Sequence, residues 1–247
     1  MIRIDDLQGH WRRDWYKSPL GNDTETRVHW LQVGTIFADL RIPVERPDTT
    51  ERTCLADFDQ SELLMLMGAD GFAGHITVED DKCTWHPEIN WHGVPEEPDI
   101  GFMSFDSDGG LFEEGVLANY SELWQLVPQA PLRALKVSCE SMTGVLIEND
   151  DLFLLGIGPH PTGTSADLIK DLERRSAVTA DLQSHFASEY VFGTWEGTHG
   201  IATLSTNPFH EGQVALERGE GRLWHSLDFD GTARKVPLRL KGQPGPI

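Results

Sequence analysis

Apolar and polar residues alternate in short runs along most of this chain, and a period of two predicts β-strands rather than helices. His10 to Tyr16 and Arg27 to Ile42 have the Trp, Val, Ile and Phe content of strands, and Ser18-Pro19-Leu20-Gly21-Asn22-Asp23 between them is a loop by composition. Pro43 ends the second run, because proline donates no hydrogen bond to a ladder. Strand text resumes at 74–78, 82–91, 101–105, 111–117 and 121–127, with Glu-Asp-Asp, Pro-Glu-Glu-Pro-Asp and Asp-Ser-Asp-Gly-Gly between the runs. Regular short strands with acidic, Gly-rich turns predict an antiparallel meander. After Pro128-Gln129-Ala130-Pro131, a stiff break, the plan repeats loosely at 132–138, 143–148, 152–157, 191–204, 212–216, 222–229 and 235–240.

Two stretches switch to a helical period. Asp59-Gln60-Ser61-Glu62 has the acceptor-x-x-Glu form of a capping box, Leu63, Leu64, Leu66 and Met67 follow, and Gly68 or Gly71 can end the turn. This predicts a helix near 59–67, of a size to lid or plug a barrel. Ser165 can cap a longer helix near 165–186, with Leu168, Ile169, Leu172, Val178, Leu182 and Phe186 on one face and Lys170, Asp171, Arg174 and Arg175 left for solvent. The expected fold is all-β with two helices, one in each of two halves, 1–128 and 129–247.

Gly9-His10-Trp11 and Gly193-Thr194-Trp195 each open strand-rich text. A Gly-x-Trp is how lipocalin-like barrels close their floor, the indole plugging one end. Its occurrence in both halves predicts two antiparallel lipocalin-like barrels, an architecture that can enclose a small apolar molecule. The halves read as a loose duplication: Gly71-Phe72-Ala73-Gly74 follows the first helix and Val191-Phe192-Gly193 the second.

Charge narrows the partners. Against 20 Lys plus Arg stand 40 Asp plus Glu, a net charge of -20, so a phosphate backbone or an anionic membrane is repelled and neither nucleic acid nor membrane is expected. The 3 cysteines, Cys54, Cys83 and Cys139, are far apart and odd in number, which fits neither a disulfide framework nor a structural zinc site and points to the reducing cytoplasm. The N-terminus carries charges and no apolar leader, and no run approaches the roughly 20 apolar residues of a membrane span.

The densest constellation for chemistry is Trp85-His86-Pro87-Glu88-Ile89-Asn90-Trp91-His92. Extended, it sends His86, Glu88, Asn90 and His92 to one face. His86 and Glu88, about 7 Å apart on such a strand, could share a metal or a water if His29 or His75 supplied a third ligand, whereas His86 and His92 are about 20 Å apart. The plainer reading is a half-exposed strand with its polar side wet. A second cluster surrounds the first Gly-x-Trp: Trp11, Arg12, Arg13, Trp15, Arg27, His29, Trp30, Asp39 and Arg41. Arg41 or Arg27 could lay its guanidinium on Trp11, could hold the carboxylate of a fatty-acid-like ligand, or could pair with surface carboxylates. No Gly-x-Ser-x-Gly and no phosphate-binding glycine loop occurs, so no catalytic residue and no cofactor is expected.

Trp91, Glu113-Glu114-Gly115, Ser121-Glu122-Leu123-Trp124-Gln125 and Phe37-Ala38-Asp39-Leu40-Arg41 resemble a two-barrel, lipocalin-like (calycin) family of unknown function that includes a yeast casein-kinase-interacting protein and bacterial homologues. The likeness covers mainly residues 10–127. It implies two packed β-barrels and no assigned enzymatic activity. The function expected is binding of a small apolar or amphipathic ligand in the first barrel, lined by Trp11, Arg27, His29, Trp30, Arg41, Trp91 and Trp124. The alternatives are a metal-dependent or acid–base enzyme using His86 and Glu88, and a non-catalytic module with filled barrels that pairs with itself or with another protein.

Overall fold

The alternating runs become two antiparallel meanders that each close on themselves. The structure, a computed structural model, describes residues 1–241. In the first barrel β1 (Gly9–Ser18) is followed by a short flap, β2 (Gly21–Asp23), then β3 (Arg27–Val33), β4 (Ile36–Ile42), β5 (Asp70–Glu79), β6 (Lys82–Asn90), β7 (Asp99–Phe105), β8 (Leu111–Gly115) and β9 (Ser121–Val127). β9 pairs back onto β1 from His10–Val127 to Lys17–Ser121, with a bulge between Arg13 and Trp15, so β1 and β3–β9 form a closed cylinder. The second barrel contains β10 (Arg133–Cys139), β11 (Met142–Glu148), β12 (Leu152–Gly158), β13 (Glu189–Glu196), β14 (His199–Ser205), β15 (Val214–Arg218), β16 (Arg222–Leu227) and β17 (Ala233–Lys241), and closes between β10 and β17. The strand text at 27–42 and at 191–204 is in each case a hairpin, turning at Gly34 and Gly197, both at positive φ.

Three apolar clusters hold the molecule. Trp11, Trp30, Phe37, Phe72, Ile76, Trp85, Met103, Leu111 and Trp124 fill the first barrel. Leu135, Leu146, Phe153, Leu155, Val191, Trp195, Leu216 and Trp224 fill the second. The third lies between them, where Leu31, Ala38, Leu40 and Ile42 meet Val145, Ile147, Leu154, Tyr190 and Phe192. Strands that face a barrel interior on one side and this seam on the other are buried on both faces, which is why 152–157 reads as an unbroken apolar run.

The first predicted helix is α1 (Gln60–Leu66). Asp59 accepts from the Ser61 and Glu62 N–H groups, and Glu62 accepts from the Asp59 N–H, completing the capping box. It neither lids nor plugs a barrel, because Leu63 and Leu66 pack into the seam. The second predicted helix is two, α2 (Ala166–Glu173) and α3 (Thr179–His185). From Leu172 to Val178 is about one and two-thirds turns, so Val178 falls off the face that Leu172 belongs to. The chain breaks there, with Arg175 at φ +56.

The two barrels share a plan: the helices interrupt each between its third and fourth strands, and the fourth strand bulges after Ala73 in one and after Phe192 in the other. The bulge glycines are matched in detail, since a Cβ on Gly74 would lie 2.1 Å from the His86 carbonyl oxygen and one on Gly193 would lie 2.1 Å from that of Ile201. Three residues before them, Gly71 and Tyr190 occupy corresponding places and meet across the seam. The two Gly-x-Trp tripeptides do not correspond, because Trp11 lies on the first strand of its barrel and Trp195 on the fourth. The helix-bearing connections cross over. Residues 159–165 reach the first barrel, where the Val94 N–H donates to Gly163 at 2.8 Å and the Ser165 N–H to His92 at 2.9 Å, and residues 43–60 reach the second.

Candidate functional site

The residues expected to line one site are divided among three places. Trp11, Trp30 and Trp124 lie inside the first barrel, each 1% exposed. Trp30 stacks with Trp11 at 6.1 Å and takes Trp124 edge-on at 5.5 Å. Trp11 Nε1 donates to the Leu7 carbonyl at 2.9 Å, and the 3-10 turn Ile4–Leu7 stops this end of the barrel. Arg41 is also inside, at the other end, 2.9 Å from Asp39 and over Phe72 and Trp124 at 5.1 and 6.0 Å. Arg27 is on the exposed rim and reaches the Pro43 carbonyl at 3.4 Å. His29 and Trp91 are outside the barrel, in the seam. His29 lies on Phe192 at 3.9 Å and hydrogen-bonds His10, while Trp91 packs against His185 at 4.4 Å. Alternation explains the split, since neighbours such as His29 and Trp30 cannot face the same side of a strand.

Around Arg41 the interior of the first barrel is a network of ionisable groups. Arg13 bridges Glu122 and Asp23 at 2.8 and 2.6 Å, and Glu113 accepts from Tyr120 Oη at 2.8 Å and Trp124 Nε1 at 2.9 Å. Burial raises Glu113 well above the usual carboxylate range, reinforced by Glu122 and Asp99, and burial lifts Asp39 to about 6 against the pull of Arg41. A buried carboxyl with a raised pKa keeps its proton when folded and loses it when unfolded, so its stabilisation is present at low pH and is lost as pH rises from about 4.5 towards the folded value. Glu113→Gln is therefore expected to be more stable than the native chain at pH 8. The gap relative to pH 5 should widen by up to about 1.4 kcal/mol per pH unit in urea titrations. A pH slope as steep in the variant as in the parent would assign the proton elsewhere.

His86 and Glu88 do meet His75 on the outer face of β5 and β6. The His75 and His86 rings stack at 4.9 Å and His75 Nδ1 is 3.5 Å from Glu88. Lys136 of the second barrel holds Glu88 at 2.6 Å, however, and His86 Nε2 is shared with Thr77. Among the described residues no group of His, Cys, Asp and Glu is placed to hold a metal ion. The cysteines are free and buried, and burial raises Cys83 and Cys139.

In the second barrel the arginine-on-indole contact anticipated at Trp11 is made at Trp195. Arg218 lies 3.7 Å above its ring and Arg222 at 5.9 Å. Both are tied to Glu148, at 3.3 and 2.7 Å, as is Arg133 at 2.9 Å. At the opposite end of this barrel is a cavity of about 220 Å³. Its apolar wall is Met142, Phe186, Trp224 and Phe229, and Glu189, Asn207, Ser226 and Arg234 contribute polar groups. Glu189 accepts from Ser205 Oγ at 2.8 Å, from Trp224 Nε1 at 3.2 Å and from His210 Nδ1. Burial opposes the charged imidazole of His210, but the Glu189 carboxylate outweighs it and the pKa is raised. Arg234 is neutralised by Asp228 at 2.8 Å. Ser226 is 3% exposed, and its hydroxyl has no partner in the protein. None of these lining residues was singled out from the sequence as polar contacts. The signal for them was Trp195 itself, since a floor at one end implies a mouth at the other.

The sequence matches no protein-family model and no curated protein. In three dimensions the chain is similar to the uncharacterized protein YLR301w from Saccharomyces cerevisiae, with a TM-score of 0.52 at 11% identity, covering 95% of this chain and 98% of that one. At that identity the likeness is one of fold. No helix among the described residues is long and apolar enough to cross a membrane.

Proposed function

We propose that this is a lipocalin-like binding protein whose second barrel takes a compact amphipathic molecule at the mouth opposite Trp195. The observation that carries the reading is the pairing of an aromatic-walled cavity of about 220 Å³ with one buried, unpartnered hydroxyl, Ser226. A buried hydroxyl without a partner costs about 1–3 kcal/mol, and a ligand that supplies the missing hydrogen bond recovers it. The volume is below the roughly 300–1,000 Å³ of sites for drug-sized molecules, which favours a ligand of one ring or a short chain over a porphyrin or a long fatty acid. Charge argues the same way. Glu189 with His210, and Asp228 with Arg234, are already balanced, and Asp230 at the rim adds a negative charge, so a carboxylate ligand finds no free cation. The first barrel, packed with indoles and a hydrogen-bonded ionic network, supports the site from outside.

Titration with 4-ethylphenol, phenethylamine and octanoate tests this, with intrinsic Trp fluorescence as the readout because Trp224 is in the wall. The phenol and the amine are expected to bind and octanoate to be at least about tenfold weaker, with Ser226→Ala lowering the phenol's affinity by about tenfold. Equal binding of all three, or binding unaltered by Ser226→Ala, would remove the site from this cavity.

A further inference from the structure

Three of the segments that border that cavity are fastened to one stretch of the first barrel. The lip carrying Asn207 and His210 is gripped by Arg46, whose Nη1 reaches Glu211 at 2.6 Å and whose Nη2 donates to the Ser205 and Thr206 carbonyls at 3.0 and 3.4 Å. The Arg46 side chain is 10% exposed, so this grip is largely shielded from water. The lip carrying Phe229 is held where the Ala56 N–H donates to the Phe229 carbonyl at 2.9 Å. α3, which brings Gln183 and Phe186 to the opening, begins beside Gln60. That amide pairs with Ala177 in both directions, Nε2 to the carbonyl at 3.1 Å and the Ala177 N–H to Oε1 at 3.2 Å. Arg46, Ala56 and Gln60 all belong to residues 43–60, which run from the end of β4 to the first residue of α1, and none of them lines the cavity.

Three elements from separate parts of the second barrel, all meeting one segment of its neighbour, share a common frame. Resting on the reading of the cavity as a ligand site, we propose that residues 43–60 are the positioning element of the second barrel's mouth, with Arg46 and Gln60 as positioning residues that set its aperture and so the affinity and exchange rate of the compact amphiphile. Loops held in their binding geometry beforehand do not have to be ordered when the ligand arrives, and loosening them returns that ordering cost as weaker, shorter-lived binding. The first barrel then has a part in binding although its own interior is filled: whatever shifts its β4–α1 connection shifts the mouth.

Arg46→Ala, Arg46→Lys and Gln60→Ala in the full chain test the proposal by two independent readouts. One is amide hydrogen exchange, without any probe, over 179–187, 205–211 and 227–231, compared with the interior strand 152–158. The other is the dissociation rate of 4-ethylphenol by stopped-flow fluorescence. Arg46→Ala and Gln60→Ala are expected to speed exchange in their own lips while 152–158 stays protected, and to raise the dissociation rate by about tenfold, the equivalent of one lost charged hydrogen bond at Arg46 or of the two neutral ones at Gln60. Arg46→Lys keeps the charge opposite Glu211 and should restore part of both. Unchanged exchange in the lips, or an equal rise in 152–158 marking general loosening, overturns the positioning role. If the native chain binds none of the probes, the ligand reading falls, and the exchange data alone still decide whether 43–60 holds the mouth.

Discussion

Replacing Glu148 by alanine is expected to cost about 3–5 kcal/mol of stability, the penalty for leaving buried charge without its counter-charge. The Glu148 carboxylate is fully enclosed and is the shared partner of Arg133, Arg218 and Arg222. Without it, two mostly buried guanidiniums lie against the Trp195 ring in the floor of the second barrel with only the exposed Asp150, 3.8 Å from Arg218, as a remaining counter-charge. Glu148→Gln keeps the shape and one acceptor, so it should lose less. Arg133→Ala should lose still less, under about 1 kcal/mol, because the Arg133 side chain is 48% exposed and its pair is screened by solvent. Urea denaturation with linear extrapolation gives all three values. A loss below that of Arg133→Ala in the Glu148→Ala chain would mean that the arginines are satisfied without the carboxylate.

Tyr190→Ala should cost a comparable amount, about 3–5 kcal/mol, as a large aromatic is removed from the seam. Tyr190 is 1% exposed and lies over two glycines that leave it room: a Cβ on Gly71 would be 2.4 Å from ring carbon Cγ, and one on Gly156 would be 2.7 Å from Cε1. Gly71→Ala alone is therefore expected to cost about 1–3 kcal/mol through crowding. In the double variant the new methyl enters the space that the ring has vacated, so the two losses should fall short of their sum by at least about 0.5 kcal/mol in a double-mutant cycle. Strict additivity would show that ring and glycine do not press on each other in solution.

How far the sequence anticipated all this depends on which force acts where. The strands and the capped α1 were legible, because period-two patterning and the Asp59–Glu62 box act through near neighbours in the chain. Barrel closure was legible at second hand, through Trp11 and Trp195. The seam was not. His29 and Trp91 read as barrel lining because their burial comes from Phe192 and His185, residues of the other half that no local pattern announces. The single helix expected over 165–186 failed for a local reason, the six-residue step from Leu172 to Val178, which period counting can detect. The cavity could not be seen at all: an unpartnered Ser226 hydroxyl is a property of what surrounds it in space, and a serine in a strand looks the same whether or not it has a partner.

The exchange of connections between the barrels has a consequence for how such a chain could arise. A lone ancestral half would have had no neighbour to receive the backbone groups at Val94, Ser165 and Ala56, and its outer β3–β5 or β11–β13 wall would have stood in water as a greasy plate. Doubling such a half, or bringing two copies together, supplies both missing partners at once. In this chain each half is completed by the other, so a lesion in one is felt in the shape of both.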